Sequence, residues 1–316
     1  MHHRSLGRSG LAVSRLGLGL MTWGNRTDEH EARDQLTAFV DAGGTLLDTA
    51  HTYGGGASEE LLGRLLDDVV PRADVVVASK AGLVRTNDQR RVDTSRANLL
   101  RCLDLSLRRI GVDHLDLWQV HVWSDRTPME EVLSAVDYAV STGRTVYAGI
   151  SNWSGWRTAQ GATWQRAVPG RAPLVSTQVE YSLLNRSIEH EVVPAAIELG
   201  LGILPWSPLG RGVLTGKYRT GTPADSRGAS EMSGFVDGYR DDSSSAVVEA
   251  VVKAADGLGW TPLEVALAWV RDQPGVTAPI VGARTAAQLR QALAVEDKVL
   301  PPEIMEALDD VSADRR

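Results

Sequence analysis

The chain has one cysteine, Cys102, among 316 residues. An internal disulfide is excluded, and so is a thiolate metal cluster. Leu99, Leu100 and Leu103 around it suggest a buried thiol on a helix, and a reducing, cytoplasmic setting is expected. No apolar run approaches the ~20 residues that cross a bilayer. The opening Met1-His2-His3-Arg4 lacks the apolar centre of a signal peptide. Basic residues are in deficit, 33 against 40 acidic ones, for a net charge of -7. That balance argues against nucleic acid as the main partner, which would favour a basic face. The two common glycine signatures for nucleotide phosphates are also missing. Gly17-Leu18-Gly19-Leu20-Met21-Thr22 lacks the third glycine of a dinucleotide fingerprint, and no Gly-x-x-x-x-Gly-Lys-Ser/Thr occurs. Phenylalanine is nearly absent, with two residues against nine tryptophans.

What is present is an ordinary globular composition, 43% apolar and 23% charged, patterned as a repeat. After a hairpin expected over 3–14 with its turn at Gly7-Arg8-Ser9-Gly10, short apolar runs alternate with helical periodicity. Strands are expected at 16–19, 45–47, 75–80, 115–121, 146–150, 174–178, 202–204 and 278–281. Helices are expected between them: one capped by Thr27, then 58–66, 94–110, 128–141, 154–167 and 188–199. Thr261-Pro262-Leu263-Glu264 is a capping-box start with proline in the first turn. Further helices are expected at 245–257, from Thr285 and from Pro302. Residues 210–243 break the pattern and read as a long loop without regular structure, functional or disordered. Uninterrupted apolar strands such as 75–80 suit a parallel sheet covered on both faces. Eight strand–helix units with right-handed crossovers point to a closed (β/α)8 TIM barrel with an N-terminal β-hairpin and extra C-terminal helices, a single domain over 1–316. An open doubly wound sheet is the alternative.

Residues 45–53, Thr-Leu-Leu-Asp-Thr-Ala-His-Thr-Tyr, are followed by Gly54, Gly55 and Gly56. A strand that ends in polar side chains and breaks into glycine can be an active-site loop or a solvated turn. On the barrel reading, Asp48 with Tyr53, then Lys80, then His121 all arrive at strand carboxyl ends. A free phenol has a pKa of ~10. A nearby ammonium favours the phenolate, and a carboxylate fixes the ammonium. An imidazole beside them polarises a carbonyl oxygen or relays a proton. Such a set can protonate an oxygen that gains charge, but a hydride must come from a cofactor. Each residue also has a plainer role: a helix cap for Asp48, a strand-end lysine, a satisfied core histidine. A metal site of Asp48, His51 and His121 would leave Tyr53 and Lys80 without a task. Trp23, Trp123, Trp153 and Trp206 each follow a predicted strand and together suggest the wall of an apolar pocket. Trp118, inside a strand, reads as core.

Seven blocks carry a family resemblance: 47–54 (Leu-Asp-Thr-Ala-His-Thr-Tyr-Gly), Ser79-Lys80, Gln119-Val120-His121, 149–153 (Gly-Ile-Ser-Asn-Trp), 178–182 (Gln-Val-Glu-Tyr-Ser), 206–210 (Trp-Ser-Pro-Leu-Gly) and Gly216-Lys217-Tyr218. In this order they resemble an aldo-keto reductase over essentially the whole chain, most of all bacterial reductases similar to potassium-channel β-subunits. The resemblance implies a catalytic tetrad of Asp48, Tyr53, Lys80 and His121, with Tyr53 the general acid. It implies NADP(H), bound without a dinucleotide fold, and a small-molecule carbonyl substrate. Gly19, Leu20 and Met21 at the first strand end would meet the cofactor. Ser151, Asn152 and Gln178 match the nicotinamide carboxamide positions, and Trp206 matches the ring that stacks on the nicotinamide. Ser207, Pro208, Leu209, Gly210 and Lys217 match the pyrophosphate loop, and Arg227 an arginine over the adenosine end. Gly282 and Arg284 open a helix that would hold the 2′-phosphate, and Gln288 matches an adenine contact. Ala292 stands where the family often has asparagine. Trp23, Trp123 and Trp153 would line the substrate mouth and favour aromatic or alicyclic carbonyls. A redox-sensing binding module and a metal-dependent barrel enzyme are the competing functions.

Overall fold

The computed structural model describes residues 1–86, 89–224, 226–230 and 233–315. Chain order begins with a hairpin, β1 (His3–Ser5) and β2 (Ala12–Ser14), paired antiparallel. The strands β3 (Gly17–Gly19), β4 (Leu46–Asp48) and β5 (Val76–Ala81) follow. A second hairpin, β6 (Leu83–Thr86) with β7 (Gln89–Val92), then projects before β8 (Leu115–Val120), β9 (Thr145–Ser151), β10 (Leu174–Glu180), β11 (Gly202–Trp206) and β12 (Ile280–Gly282).

The eight-stranded sheet runs β11-β10-β9-β8-β5-β4-β3-β12, all pairs parallel. The ring closes just before β12: Ile203 N donates to Gly275 O at 3.0 Å and Thr277 N donates to Ile203 O at 2.9 Å. This is the (β/α)8 barrel, and all eight expected strands are in it. Around it lie α1 (Glu29–Asp41), α2 (Ala57–Leu65), α3 (Arg96–Ile110), α4 (Met129–Ser141), α5 (Gly155–Ala167), α6 (Val192–Leu199), α7 (Ser233–Asp237), α8 (Asp242–Leu258), α9 (Pro262–Arg271), α10 (Ala286–Leu293) and α11 (Pro302–Val311).

Helix starts follow local chemistry. Thr261 and Glu264 form the capping box expected for α9, and Thr285 caps α10. For α1 the cap is Asp28, whose carboxylate accepts from Glu31 N at 2.9 Å. The expected cap, Thr27, instead bonds Thr22 Oγ1 at 2.9 Å inside the protein, because an extended residue one position later reaches the free amides better.

Two regions differ from expectation. The β6–β7 hairpin is not among the expected strands; its polar, arginine-rich sequence carries no apolar alternation. Residues 210–243 are not structureless. They hold two short 3-10 turns, Gly210–Thr215 and Arg227–Ala229, and the five-residue α7. Single turns are stabilised by tertiary contacts, which periodicity does not reveal.

The barrel interior explains where the polar groups go. Leu46, Ala78, Leu117, Val175, Leu204, Ala278 and Ile280 fill its lower part, and Leu6 and Val13 of the first hairpin plug it from below. The plug fits closely: a Cβ on Gly7 would lie 2.5 Å from Gly200 O. Strand side chains alternate with period two. Leu46 and Ala78 point inward, so Asp48 and Lys80, two residues on, point inward at the upper, carboxyl end.

Candidate active site

Lys80 is wholly buried, and Asp48 is 2% exposed. The three ammonium donors of Lys80 all have acceptors: Asp48 Oδ2 at 2.7 Å, Thr49 O at 2.8 Å and, more weakly, Tyr53 OH at 3.5 Å. Burial alone would depress the ammonium pKa; the Asp48 carboxylate and the Tyr53 phenol outweigh it and hold Lys80 above its ordinary value. Because Lys80 donates toward the phenol oxygen, the phenolic proton is available to another acceptor. The His121 ring stands edge-on to Tyr53, with centroids 6.1 Å apart. All four tetrad candidates therefore meet at one end of the barrel.

Asp48 Oδ1 accepts from Gln178 Nε2 at 2.8 Å, so both carboxylate oxygens are engaged. Sequence reading gave Gln178 a cofactor role only; its tie to Asp48 spans 130 residues and leaves no local trace. His51 does not join a metal set. Its Nδ1 bonds Lys80 O at 2.9 Å, which requires the proton on Nδ1, since a carbonyl only accepts. Among the described residues no group of three His, Cys, Asp or Glu side chains is arranged to hold a metal, and no helix is long and apolar enough to cross a membrane.

Burial lowers the His51 pKa below its usual value, more than the Lys80 carbonyl and Glu59 raise it. A folded pKa below the unfolded one means the unfolded chain binds the extra proton. The associated stability is present above the unfolded value of ~6.5 and is lost as pH falls through the folded one. Chemical denaturation midpoints are expected to fall between pH 7 and pH 5, and His51→Asn to flatten that slope. An unchanged slope in the variant would remove His51 as a cause.

Backbone strain gathers at the same rim. Among the described residues four non-glycines have positive φ, and three of them are Asn152 (58°), Ser207 (52°) and Arg211 (59°). Such conformations cost about 1–3 kcal/mol each and persist where surroundings over-determine them. Asn152 Nδ2 donates to His121 O at 3.0 Å and to Ser151 Oγ at 2.9 Å, and its Oδ1 accepts from Trp206 Nε1 at 3.0 Å. Arg211 makes a two-pronged pair with Glu180, both contacts at 2.8 Å, and donates to Phe235 O at 2.8 Å. It lies 4.1 Å from the Phe235 ring centroid. Glu180 and Arg211 were missed, since neither falls at a motif position with known chemistry. Together they tie the loop after β11 to α7.

The remaining expected cofactor positions are placed as follows. Gly19 ends β3, Leu20 after it is buried, and Leu20 O accepts from Ser58 Oγ, with Met21 next in the chain. Ser207, Pro208, Leu209 and Gly210 continue from β11, and Lys217 is exposed beyond them. Gly282 closes β12 and is exposed. Arg284 N donates to Gln288 Oε1 at 3.0 Å, so the Gln288 carbonyl oxygen caps its own helix. Ala292 is buried. Arg227 is half-buried, and its pKa is held down chiefly by burial, with Arg26, Arg284 and Arg211 adding to the effect against Tyr218. Arg26 Nη1 reaches Ser230 Oγ at 3.0 Å, and Gly228 N reaches Tyr218 OH at 3.0 Å.

The tryptophans divide. Trp123 and Trp153 pack edge to face, 4.7 Å between centroids, with the Arg157 guanidinium 4.2 Å over Trp123. Trp206 is half-buried at the end of β11. Trp23 and Trp153 do not line the mouth as expected: Trp153 is 2% exposed beneath Trp123, and Trp23 is fully buried, with Nε1 donating to Gln35 Oε1 at 2.9 Å. The turn over 22–27 folds Trp23 inward against α1, where the Gln35 carbonyl oxygen satisfies the indole N–H.

Comparison with known proteins agrees with this geometry. The aldo/keto reductase family pattern matches residues 15–313. An uncharacterized oxidoreductase, YrpG, of Bacillus subtilis is 37% identical across 98% of this chain and 96% of its own. A probable voltage-gated potassium channel subunit beta of rice is 35% identical over the same shares. L-glyceraldehyde 3-phosphate reductase of Escherichia coli K12 is 33% identical across 92% of this chain and 86% of its own. The chain belongs to the aldo/keto reductase family, oxidoreductases that act on carbonyl compounds.

Proposed function

We propose that this protein reduces an aldehyde or ketone to the alcohol with NADPH, and that Tyr53 supplies the proton. The observation that carries the reading is the buried Asp48–Lys80 pair at 2.7 Å with the Tyr53 hydroxyl 3.5 Å from the same ammonium. Bound NADPH would supply the hydride to the carbonyl carbon. Tyr53 holds the proton for the oxygen that becomes negative. Lys80 stabilises the phenolate left behind, Asp48 keeps Lys80 charged, and His121 orients the carbonyl oxygen.

The residues at the rim suit this cofactor. Arg26, Arg227 and Arg284 concentrate positive charge that a phosphate would relieve. Arg284 precedes α10, whose dipole favours an anion near its start. Asn152 is held rigid beside the Trp206 indole, suited to an amide next to a flat ring. Trp123, the partly exposed member of the packed pair, favours a hydrophobic or aromatic substrate. The family's range is wide, since a relative 30% identical over 96% of this chain is the versiconal hemiacetal acetate reductase of Aspergillus parasiticus.

The test is loss of NADPH absorbance over a panel of aromatic, alicyclic and small polar carbonyls, with NADH alongside. Turnover with NADPH favoured is expected. Arg284→Ala is expected to raise the KM for NADPH about tenfold, the scale of one charge-assisted hydrogen bond, and to leave that for NADH nearly unchanged. Equal losses with both coenzymes would remove Arg284 as a 2′-phosphate ligand. The likeness to a channel subunit beta supports a second reading, a redox-sensing subunit. Tight NADPH binding without turnover across the panel would favour it.

A further inference from the structure

The residue proposed to move the proton stands on a turn made largely of glycine. Tyr53 opens the 3-10 turn Tyr53–Gly56, and Gly54, Gly55 and Gly56 follow with φ of 58°, 69° and 113°. Consecutive glycines lose the most freedom on ordering. Within the turn Tyr53 N donates to Ala50 O at 3.0 Å and Gly55 N to Thr52 O at 3.1 Å.

A guanidinium from another helix completes it. Arg109, in the last turn of α3, donates from Nη1 to His51 O at 2.8 Å and from Nη2 to Gly55 O at 3.1 Å. The two carbonyls lie two residues before and two residues after Tyr53. Nη1 also meets Glu59 Oε2 at 3.2 Å. Glu59 is wholly buried, and its Oε1 accepts from Ser79 Oγ at 2.7 Å. Ser79 is the neighbour of Lys80 on β5. The arginine is thus locked, through one carboxylate, to the strand that carries the ammonium facing Tyr53.

The glycines are shaped to this guanidinium. A Cβ on Gly56 would lie 2.3 Å from Arg109 Cζ, and one on Gly63 in α2 would lie 2.7 Å from Arg109 O. Three donors in one plane are used at once, a geometry that lysine does not reproduce. The first turn of α2 would normally leave an acid such as Glu59 in solvent. Here it is buried, and a buried carboxylate needs a partner.

We infer that Arg109, anchored by Glu59 and Ser79, is a positioning residue that sets the distance between the Tyr53 hydroxyl and Lys80. The inference rests on the reading of Tyr53 as proton donor. Arg109 meets His51 O, Gly55 O and the Glu59 carboxylate. It acts through the two backbone carbonyls that bracket the tyrosine, and small displacements of a reacting group are costly in rate.

Arg109→Lys, Arg109→Gln and Glu59→Gln, each saturated with NADPH, test it against the same carbonyl as the parent protein. For Arg109→Gln, kcat is expected to fall roughly 10- to 100-fold, with NADPH affinity by fluorescence titration within about twofold of the parent. Reduction needs the protonated phenol, and a phenol farther from the ammonium is a weaker acid. The pH at which reduction falls off on the alkaline side should therefore move upward. Arg109→Lys and Glu59→Gln should show smaller changes of the same sign. A purely structural arginine would lower the melting temperature and leave the alkaline limb in place, and that result would overturn the inference. Should Arg109→Gln fail to fold, Glu59→Gln, which keeps the arginine and the shape of the carboxylate, decides by the same limb. Tyr53→Phe in parallel separates the two ideas. Turnover surviving in it overturns the role of Tyr53. Turnover lost there, with unshifted limbs in the Arg109 and Glu59 variants, overturns the positioning role alone.

Discussion

Tyr53→Phe should bind NADPH with unchanged affinity and lose turnover by about 10²- to 10⁴-fold, the range for removing a general acid. The substitution deletes one oxygen and leaves the ring. The ring keeps its edge-on packing with His121 and its place 5.1 Å from the Lys80 ammonium. Lys80 keeps its two stronger acceptors, Asp48 and Thr49 O. Little else in the site should move, and the melting temperature should stay close to the parent. What disappears is the only phenol beside the buried ammonium among the described residues. NADPH absorbance gives the rate, and quenching or enhancement of nicotinamide fluorescence gives the affinity. A kcat within tenfold of the parent would assign the proton to another group, with His121 the next candidate.

Lys80→Met should have the largest combined effect on activity and stability. Methionine is close to lysine in length and carries no charge. It would leave the Asp48 carboxylate 2% exposed, with Gln178 Nε2 as its remaining side-chain donor. Removing one partner of a buried pair costs about 3–5 kcal/mol, because the other charge is stranded. Asp48 would answer by holding its proton to higher pH. With its folded pKa then above the unfolded ~3.9, the unfolded state gives up the proton first as pH rises. The stability deficit should be largest near pH 8 and shrink toward pH 5. Urea denaturation of parent and variant at both pH values measures this. The double variant Asp48→Asn with Lys80→Met should regain part of the stability and none of the turnover. A deficit below about 1 kcal/mol at pH 8 would mean that the pair behaves like an exposed one, against the burial seen here.

The barrel was legible in the sequence because its determinants are local. The run at 75–78 is apolar without interruption, which suits a strand covered on both faces, and β5 lies there; Leu115, Leu117, Trp118 and Val120 mark β8 despite Asp116 and Gln119 between them. The period-two rule also carries from Leu46 to Asp48 and from Ala78 to Lys80, so inward-pointing polar groups at strand ends could be read directly. The capping box at Thr261 and Glu264 was equally local. The hairpin β6–β7 was not legible, since its polar, arginine-rich sequence lacks the alternation that marks a strand.

Partner choice was much less so. Trp23 follows a strand as Trp123, Trp153 and Trp206 do, yet Gln35 in α1 takes its indole into the core. Residues 210–243 have weak periodicity, yet Arg211 and Glu180 bind the loop after β11 to α7. Glu59 looks like an ordinary acid at a helix start until Arg109, 50 residues on, covers it.

By itself, then, the sequence determined the eight strand–helix units, the carboxyl ends at which Asp48, Lys80 and His121 emerge, and the family. These depend on neighbours within a few residues and on the fixed periods of strand and helix. Only the tertiary structure decided which oxygen of Asp48 takes Lys80 and which takes Gln178, which tryptophans face the rim, and that an arginine from α3 braces the turn carrying Tyr53. Those contacts join side chains far apart in the chain, and they are selected by shape, burial and hydrogen-bond satisfaction once the barrel has closed.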